Sequence, residues 1–262
     1  MLKKRVIPIL TFNGIALVKT KKFSNPRMVG NPIQSARVFN SRNVDELIFV
    51  DLKASSLNRN INLDMAKFVI NECFMPVAIG GGIRTNEDIN SLLKIGADKV
   101  VIKTSALSNP NFIKSAVSNF GAQAIVIAVD IKRVNNDYVI HHFDQKLGGG
   151  DAIDFIKKVE DLGAGELCVT DVDNDGVMEG FNLDLFAQVL ENSKLPIIAV
   201  GGAGKPEDFS DLLKSQPSIT GLGASSIFYY TQFTPFDIKS KIFEEGFPSR
   251  IFDQHLIAAR NT

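Results

Sequence analysis

The sequence predicts a single α/β domain, residues 1–262, folded as a (β/α)8 barrel built from two homologous half-barrels. Runs of Val, Ile, Leu and Phe alternate eight times with amphipathic stretches, which is the pattern of βα units around a parallel sheet buried on both faces. The chain also repeats itself at an offset of 120 residues, so four βα units are written twice. We therefore expect half-barrels over about residues 1–120 and 121–240 and a C-terminal tail at 241–262.

The repeat is clearest in two glycine-rich segments. Residues 75–93 read MPVAIGGGIRTNEDINSLL, and residues 195–213 read LPIIAVGGAGKPEDFSDLL. Residues 44–51 (VDELIFVD) match residues 164–171 (AGELCVTD) at the same offset, and KTSA at 103–106 matches GASS at 223–226. Solenoids need more and shorter repeats, so a doubled set of four units favours a closed barrel.

A helical pattern follows each predicted strand, and bounds are assigned to seven of these helices. The strands are Arg5–Leu10, Glu46–Leu52, Val77–Gly80, Lys99–Lys103, Ala124–Val129, Glu166–Asp171, Ile197–Val200 and Ile219–Gly223. The helices are Ile33–Asn40, Asn62–Cys73, Asn86–Leu93, Asn111–Phe120, Ala152–Leu162, Leu183–Asn192 and Pro206–Leu213.

Two connections are longer than the others: residues 12–30 after the first strand, and residues 131–150 after the fifth, with a predicted hairpin at Tyr138–Asp144. Loops that follow barrel strands rise over the C-terminal face, where active sites of such barrels lie. Long loops at that face often act as lids.

The composition is that of an ordinary globular protein. Hydrophobic residues make up 45% of the chain, and 29 basic residues balance 29 acidic ones, so neither a nucleic-acid partner nor a membrane surface is indicated. No apolar run reaches the roughly 18 residues of a membrane span, and the apolar run at residues 6–10 is too short for a signal peptide. We expect a cytoplasmic protein with reduced core thiols at Cys73 and Cys168.

Glycine pairs at strand ends indicate two anion sites on opposite sides of the mouth, because glycine turns let backbone N–H groups approach a ligand closely. One site combines Gly81, Gly82, Thr104 and Ser105, with Lys103 at its rim. Its repeat combines Gly201, Gly202, Ala224, Ser225, Asp175 and Gly176. A bisphosphate or another two-ended anion would fit this symmetry, although the glycines alone are also explained by tight βα turns.

The acid–base groups expected at the mouth are the strand-end carboxylates Asp51, Asp130 and Asp171. Asp130 ends an apolar strand, and its counterpart in the first half is Thr11, which cannot act as a general base near neutral pH. Lys19 is placed to neutralise a phosphate or a charged intermediate. Two simpler interpretations stay open: Asp130 could cap a loop, and the cluster of Lys19, Lys21, Lys22 and Arg27 could be a solvated loop face.

Four charged residues stand at the opposite ends of the strands, namely Arg5, Glu46, Lys99 and Glu166. Two cations and two anions around the bottom of a barrel can form a ring of salt bridges. Such a ring either seals the core or gates a channel along the barrel axis.

No metal or cofactor is indicated. His141, His142 and His255 lack the spacing of a metal site and are expected on the surface or in loops, and the glycines do not follow the dinucleotide fingerprint. No Ser-His-Asp or Cys-His arrangement emerges.

Together the motifs RVIP, GGGIR, GADKV, GAGE, DNDG, GGAG and ASSIF resemble the cyclase subunit of imidazole glycerol phosphate synthase, a TIM barrel of two half-barrels, along nearly the whole chain. The resemblance implies that a glutaminase subunit docks on the N-terminal face and that ammonia passes the four-residue gate and travels down the axis. It also implies phosphate binding at the two glycine pairs and a catalytic role for Asp130, supported by Lys19 and Asp51.

Three positions depart from the cyclase pattern: Thr11 replaces a second catalytic aspartate, Lys103 an asparagine and Val200 a serine. The first segment, RVIPILTFNGIALVKTKKF, more closely resembles a divergent branch associated with bacterial surface polysaccharides. That branch is thought to deliver ammonia for converting an acetamido sugar to an acetamidino sugar, with a third protein as synthetase.

We therefore expect an ammonia-dependent synthase or lyase subunit of a glutamine amidotransferase complex, most closely resembling the amidination branch. The alternatives are a true cyclase of histidine biosynthesis, a sugar-phosphate isomerase of the half-barrel kind, and a non-catalytic scaffold that activates the glutaminase. The isomerase would need a paired acid on the first strand and would have no use for a charged gate.

Overall fold

The computed structural model describes residues 2–250, so His255 and much of the predicted tail lie outside the described residues. In chain order the elements are β1 (Arg5–Phe12), β2 (Leu17–Lys21), β3 (Ser24–Gly30), α1 (Pro32–Ser41), β4 (Leu47–Asp51), α2 (Leu63–Asn71), β5 (Val77–Gly80), α3 (Asn86–Lys94), β6 (Lys99–Ile102), α4 (Thr104–Ser108), α5 (Asn111–Phe120), β7 (Ile125–Val134), β8 (Asp137–Ile140), α6 (Ala152–Asp161), β9 (Glu166–Asp171), α7 (Leu183–Asn192), β10 (Ile197–Val200), α8 (Pro206–Ser215), β11 (Gly221–Ala224), α9 (Ser226–Tyr230) and α10 (Pro235–Glu244). A short 3-10 turn, Ala122–Ala124, precedes β7.

Eight of the strands form a closed parallel barrel in the order β1, β4, β5, β6, β7, β9, β10, β11. The barrel closes where β1 pairs with β11, with Arg5 opposite Gly221 and Pro8 opposite Ala224. The predicted (β/α)8 fold is confirmed. The predicted strand and helix bounds agree with the structure to within two residues, except that β7 continues five residues further, to Val134.

The barrel strands are apolar on both faces because each face packs against something different. Ile7, Ile48 and Val126 point into the lumen and are almost fully buried there. Their neighbours in sequence, such as Val6 and Leu47, point outward into the larger core beneath the helices. This arrangement explains why the strands read as continuous apolar runs instead of alternating patterns.

The repeated Glu-Asp pair marks helix N-termini. In α3 the Asp88 carboxylate accepts hydrogen bonds from the backbone N–H groups of Arg84 and Thr85, at 2.9 and 3.0 Å. In α8 Asp208 accepts from Gly204 and Lys205 in the same way, at 2.8 and 3.1 Å. A carboxylate at this position satisfies N–H groups that the helix leaves unpaired.

Both long connections contain hairpins that extend the sheet above the barrel. β2 and β3 pair with each other, and β8 pairs with the end of β7, from Ile131 opposite Ile140 to Val134 opposite Asp137. The predicted hairpin at Tyr138–Asp144 was therefore wrong in its bounds. One of its arms is the extension of β7 itself, and residues 141–144 form no strand.

The two cysteines are free and differ in burial. Cys168 lies in the lumen, and burial raises the pKa of its thiol well above the ordinary value. Cys73, also predicted as a core thiol, follows α2 and is partly buried, packed against the edge of the main core. Within residues 2–250, no helix is both long and apolar enough to cross a bilayer.

Candidate functional site

Asp130 and Lys103 lie side by side at the mouth formed by the carboxyl ends of the barrel strands. Val126 and Ala128 face the lumen, so the alternation of β7 brings the Asp130 carboxylate to the same side. The Lys103 ammonium group donates a hydrogen bond to Asp130 Oδ2. Of the three strand-end carboxylates predicted at the mouth, Asp130 is thus paired with Lys103.

Thr11 occupies the equivalent place on β1, and its hydroxyl group is engaged by its own half-barrel. Oγ1 donates to the Val18 carbonyl oxygen and accepts from Lys19 Nζ at 3.0 Å. Lys19 also donates to the Ile9 carbonyl oxygen at 3.0 Å. These bonds hold β2 against the end of β1. The hydroxyl hydrogen of Thr11 is already donated to Val18.

Lys19 is only 6% exposed, unlike the other basic residues of its loop. Burial lowers its pKa to about 7, against the opposing charge of Asp175, and burial raises the pKa of Asp175 to about 6. An amine with such a pKa can exchange a proton near neutral pH. Lys21, Lys22 and Arg27 are exposed, so a solvated loop face describes those three residues and not Lys19.

The paired glycines are required where the loops after β5 and β10 pass over neighbouring strand ends. A Cβ on Gly81 would lie 2.5 Å from the Asp51 carbonyl oxygen, and one on Gly201 would lie 2.6 Å from that of Asp171. Both glycines also have positive φ angles, 115° and 104°. The same backbone crossing is therefore built twice, once in each half-barrel.

Gly82, Gly202 and Gly176 also have packing reasons to lack a side chain. A Cβ on Gly82 would collide with the Arg59 carbonyl oxygen, and one on Gly202 with that of Gly180. Gly176 packs against the Thr20 carbonyl oxygen of β2. Close packing thus accounts for these glycines without a ligand, and their role in phosphate binding stays a prediction.

Asp51 anchors the loop after β4. Its carboxylate accepts hydrogen bonds from Arg59 at 2.7 and 3.2 Å and from the backbone N–H groups of Lys53 and Ala54 at 3.0 and 3.1 Å. Asp171 likewise accepts from the Asp173 N–H at 3.0 Å. Because these contacts occupy the Asp51 carboxylate, its predicted catalytic role has no geometric support beyond its position.

The two predicted anion sites differ in their side chains. In the first half, Ser105 Oγ donates to the Ile83 carbonyl oxygen at 2.7 Å, which ties the start of α4 to the glycine loop and leaves the Thr104 hydroxyl beside it. In the second half, Ser225 Oγ donates to the Ile9 carbonyl oxygen, and the Thr104 position is taken by Ala224. Only the first site offers a threonine hydroxyl group.

The β2–β3 hairpin reaches across the mouth from the first half-barrel to the second. The ring of Phe23, at its turn, lies 5.6 Å from the ring of His141 and 6.0 Å from Lys103 Nζ. The Lys22 N–H donates to the Asp175 carbonyl oxygen at 2.8 Å. The hairpin therefore covers part of the site and brings Lys19 into it.

His142 was predicted on the surface or in a loop, and it lies in a loop but is not at the surface. Its side chain is buried, with 5% exposure, and Nε2 lies 3.1 Å from Thr104 Oγ1. The sequence carried no signal for this contact, because His142 and Thr104 belong to loops after different strands. Burial, followed by the charge of Lys103, lowers the pKa of His142.

The four charged residues at the other end of the barrel form one closed ring. Arg5 NH1 lies 2.6 Å from Glu46 Oε2, and Arg5 also bonds Glu166. Lys99 Nζ lies 2.9 Å from Glu46 and 2.8 Å from Glu166. Each carboxylate thus contacts both cations, and both carboxylates are almost fully buried.

The lumen between this ring and the mouth is apolar. Its lining comprises Ile7, Ile48, Ala78, Val101, Val126, Cys168, Ile198 and Val200. Ile9, Val50 and Ala128, one layer nearer the mouth, are partly exposed. Solvent thus reaches the upper lumen, whereas the ring closes the bottom.

Within the part of the chain that the structure describes, no cluster of three or more His, Cys, Asp or Glu side chains is arranged to hold a metal ion. The groups that the mouth offers for chemistry are the Asp130 carboxylate, the Lys103 and Lys19 amines, and the Thr104 and His142 pair.

Comparison with known proteins gives a consistent result over nearly the whole chain. The family described as histidine biosynthesis protein matches residues 5–234. The imidazole glycerol phosphate synthase subunit HisF of Streptococcus mutans is 39% identical over 252 residues, covering 95% of this chain and 100% of the relative. The HisF subunit of Thermococcus onnurineus is 39% identical over 253 residues, covering 96% and 99%, and that of Methanocaldococcus jannaschii is 38% identical over 272 residues, covering 96% and 100%. The chain therefore belongs to the histidine biosynthesis protein family, in the group of imidazole glycerol phosphate synthase HisF subunits.

Proposed function

We propose that this chain is the ammonia-accepting subunit of a glutamine amidotransferase complex, with a glutaminase docked on its N-terminal face. The observation that carries the proposal is the closed ring of Arg5, Glu46, Lys99 and Glu166 at the bottom of an apolar lumen. A ring that only sealed the core would not need four charged groups, because apolar side chains seal a core at least as well.

The ring and the lumen together select neutral ammonia. An apolar passage rejects ammonium, because moving an unpaired cation into it costs many kcal/mol, whereas neutral ammonia carries no such penalty. In the ring each carboxylate has two cationic partners, so one cation can move aside while the other keeps both carboxylates paired. A docked partner could open the ring in this way.

At the mouth, the emerging ammonia needs an electrophilic substrate and a proton acceptor. An amine gains positive charge as it attacks carbon, and Asp130 is the carboxylate on the lumen side of the β7 end that can accept the released proton. Lys103 beside it adds positive charge for an anionic substrate. Lys19, with its pKa near 7, can donate a proton to a leaving group.

The relatives' names supply the first candidate reaction, which is formation of imidazole glycerol phosphate. The similarity to these relatives extends over nearly the whole chain. We therefore expect a substrate of similar size to theirs. In this case the protein is a cyclase of histidine biosynthesis that works with one acid fewer.

The contacts of Thr11 and Lys103 favour a second candidate, transfer of ammonia into an acetamidino sugar with the help of a third protein. The Thr11 hydroxyl hydrogen is donated to the Val18 carbonyl oxygen, and the Asp130 carboxylate is paired with Lys103. The resemblance implies that the cyclase closes its ring between two acids. Thr11 and Asp130 do not supply two acids. A non-catalytic scaffold is the remaining alternative.

One assay separates these candidates. Purified protein is incubated with ammonium at pH 8.5 and the ribulosyl phosphate precursor of histidine synthesis, and imidazole glycerol phosphate is measured. Turnover establishes the cyclase. Its absence, together with turnover after Thr11→Asp, ties the loss to that residue and favours the amidination reaction.

The scaffold is tested in the complete system with the glutaminase and the third protein. Asp130→Asn should abolish or strongly reduce formation of the amidinated product if this chain performs chemistry. Unchanged product formation would support the scaffold. If ring variants also left glutamine-dependent product formation unchanged, the proposed ammonia path would be wrong.

A further inference from the structure

His142 is a buried histidine whose two ring nitrogens both have partners. On one side the Asp144 backbone N–H lies 3.1 Å from Nδ1, and on the other Nε2 lies 3.1 Å from Thr104 Oγ1. The segment 141–144 is thereby fixed against the start of α4. No other hydrogen-bond partner of the Thr104 hydroxyl exists among the described residues.

The shorter of the two contacts of Nδ1 favours one tautomer. A backbone N–H is always a donor, so Nδ1 accepts from Asp144 and carries no hydrogen. The Asp144 carbonyl oxygen also lies 3.3 Å from Nδ1, but a protonated Nδ1 would bring two donor hydrogens together at the shorter contact. In this tautomer Nε2 carries the hydrogen and donates it to Thr104 Oγ1.

The direction of the second hydrogen bond fixes what Thr104 can offer. A hydroxyl that accepts from Nε2–H must direct its own hydrogen elsewhere, and no protein group within residues 2–250 receives it. The hydroxyl hydrogen is thus available to an oxygen of a ligand bound by the loop after β6. In the second half-barrel Ala224 has no hydroxyl group, so this donor is present on one side of the mouth only.

We propose that His142 is a positioning residue that holds the Thr104 hydroxyl as a donor toward an anionic group of the substrate, so that a two-ended anion binds the mouth in one orientation. This assignment rests on the proposed function for the identity of the substrate, but not for binding of the anion itself. The ligand class is an oxyanion such as a phosphate ester.

The first test uses inorganic phosphate as the probe. Its affinity is measured by isothermal titration calorimetry for wild type, His142→Phe, His142→Gln, Thr104→Val and the double variant. His142→Phe and Thr104→Val should each weaken binding roughly three- to tenfold, the effect of one hydrogen bond, and the double variant should be no weaker than Thr104→Val alone. His142→Gln, which keeps a donor, should retain part of the affinity.

The second test is the tautomer. Long-range proton–nitrogen NMR of imidazole-labelled protein should show His142 with an unprotonated Nδ1 at pH 7, and the His142→Gln spectrum assigns the signal. The neighbouring variant His141→Phe is the control and should bind phosphate like wild type. Wild-type affinity of His142→Phe, additive effects in the double variant, or a protonated Nδ1 would each overturn the assignment.

The two proposals fail differently. Absence of ammonium-dependent turnover on either acceptor would sink the proposed function and leave the phosphate and tautomer results interpretable. If turnover is found, His142→Phe should raise KM with little change in kcat, because it weakens binding of a group remote from the reacting carbon. A fall in kcat with unchanged KM would instead place His142 in the chemical step.

Discussion

At the residue scale, the most informative side chain is Lys19. It lies beside Thr11, and its ammonium group is held there by the Thr11 hydroxyl group and the Ile9 carbonyl oxygen, each 3.0 Å away. Neither partner is charged, so burial dominates and lowers the pKa to about 7. With the uncharged Thr11 hydroxyl group as its neighbour, Lys19 can change its protonation state near neutral pH.

This lysine should give stability a measurable pH dependence. The pKa of Lys19 is about 7 in the folded protein and about 10.5 in the unfolded chain, so between these values the unfolded chain binds more protons. The free energy of unfolding of wild type, relative to Lys19→Met, should then rise with pH from 7.5 to 9, by up to about 1.4 kcal/mol per pH unit. Urea unfolding at several pH values measures it.

The titration of Asp175 does not interfere in this pH range, because its raised pKa of about 6 lies below pH 7.5. Lys21→Met, at an exposed position of the same strand, is the matched control and should keep the wild-type slope. Parallel pH profiles for wild type and Lys19→Met would show that Lys19 stays protonated in the folded protein.

At the scale of elements, the glycine turns resemble a phosphate-binding motif, but close packing of the backbone is enough to explain them. Gly202 has a φ of 108°, and its Cα faces the Gly180 carbonyl oxygen without room for a side chain. Gly149 has a similarly positive φ of 82°, but an added Cβ there would meet nothing within 4 Å. Comparison of Gly149 with Gly202 therefore separates the cost of backbone strain from the cost of a steric collision.

We expect Gly149→Ala to lower the free energy of unfolding by about 1 kcal/mol, the cost of a left-handed conformation for alanine. Gly202→Ala adds a collision with backbone and should cost roughly 2–4 kcal/mol. Denaturant unfolding of both variants checks this. Equal losses would mean that the loop after β10 can move away, and that close packing does not explain Gly202.

Much of the element order could be predicted because each barrel strand is buried on both faces. The runs around Ile48, Val126 and Ile198 are apolar without interruption, and the 120-residue repeat supplied the pairing of halves. The β2–β3 hairpin could not be predicted in this way. Strand β3 is almost entirely exposed and contains a proline, so it lacks both periodicity and burial.

The residues of the site can likewise be divided into those that could be predicted from the sequence and those that could not. Arg5, Glu46, Lys99 and Glu166 were identifiable because strand starts are fixed by the barrel, and charges there stand out against apolar runs. The Lys103–Asp130 pair and the His142–Thr104 contact arise between loops that follow different strands. Contacts of that kind depend on loop conformation, which hydrophobic periodicity does not encode.

At the scale of the whole molecule, the ion ring joins the two half-barrels. Three members come from the first half, and Glu166 comes from the second, so the ring bridges β1, β6 and β9 and the residue preceding β4. Its carboxylates are almost fully buried, whereas the Lys99 side chain is 20% exposed. The ring therefore closes the bottom of the barrel, and under the proposed function it is also the part that would have to move to admit ammonia.

Lys99→Met, which removes one charge and keeps most of the volume, should separate these two roles. Both glutamates keep Arg5 as a partner, so we expect a loss of about 3 kcal/mol in the free energy of unfolding, at the low end for breaking a buried pair. Lys157→Met, which removes an exposed pair with Asp154 at 4.0 Å, is the matched control and should cost less than about 0.5 kcal/mol.

The same variant tests passage of ammonia through the bottom of the barrel. With the glutaminase bound, Lys99→Met should impair glutamine-dependent product formation more than ammonium-dependent formation at high pH, because free ammonia can enter from the mouth, where the upper lumen is open to solvent. Equal losses with both nitrogen sources would assign the ring to barrel stability alone. If Lys99→Met lost only glutamine-dependent product formation and kept wild-type stability, the charge on Lys99 would serve the passage of ammonia and would not be needed to close the barrel.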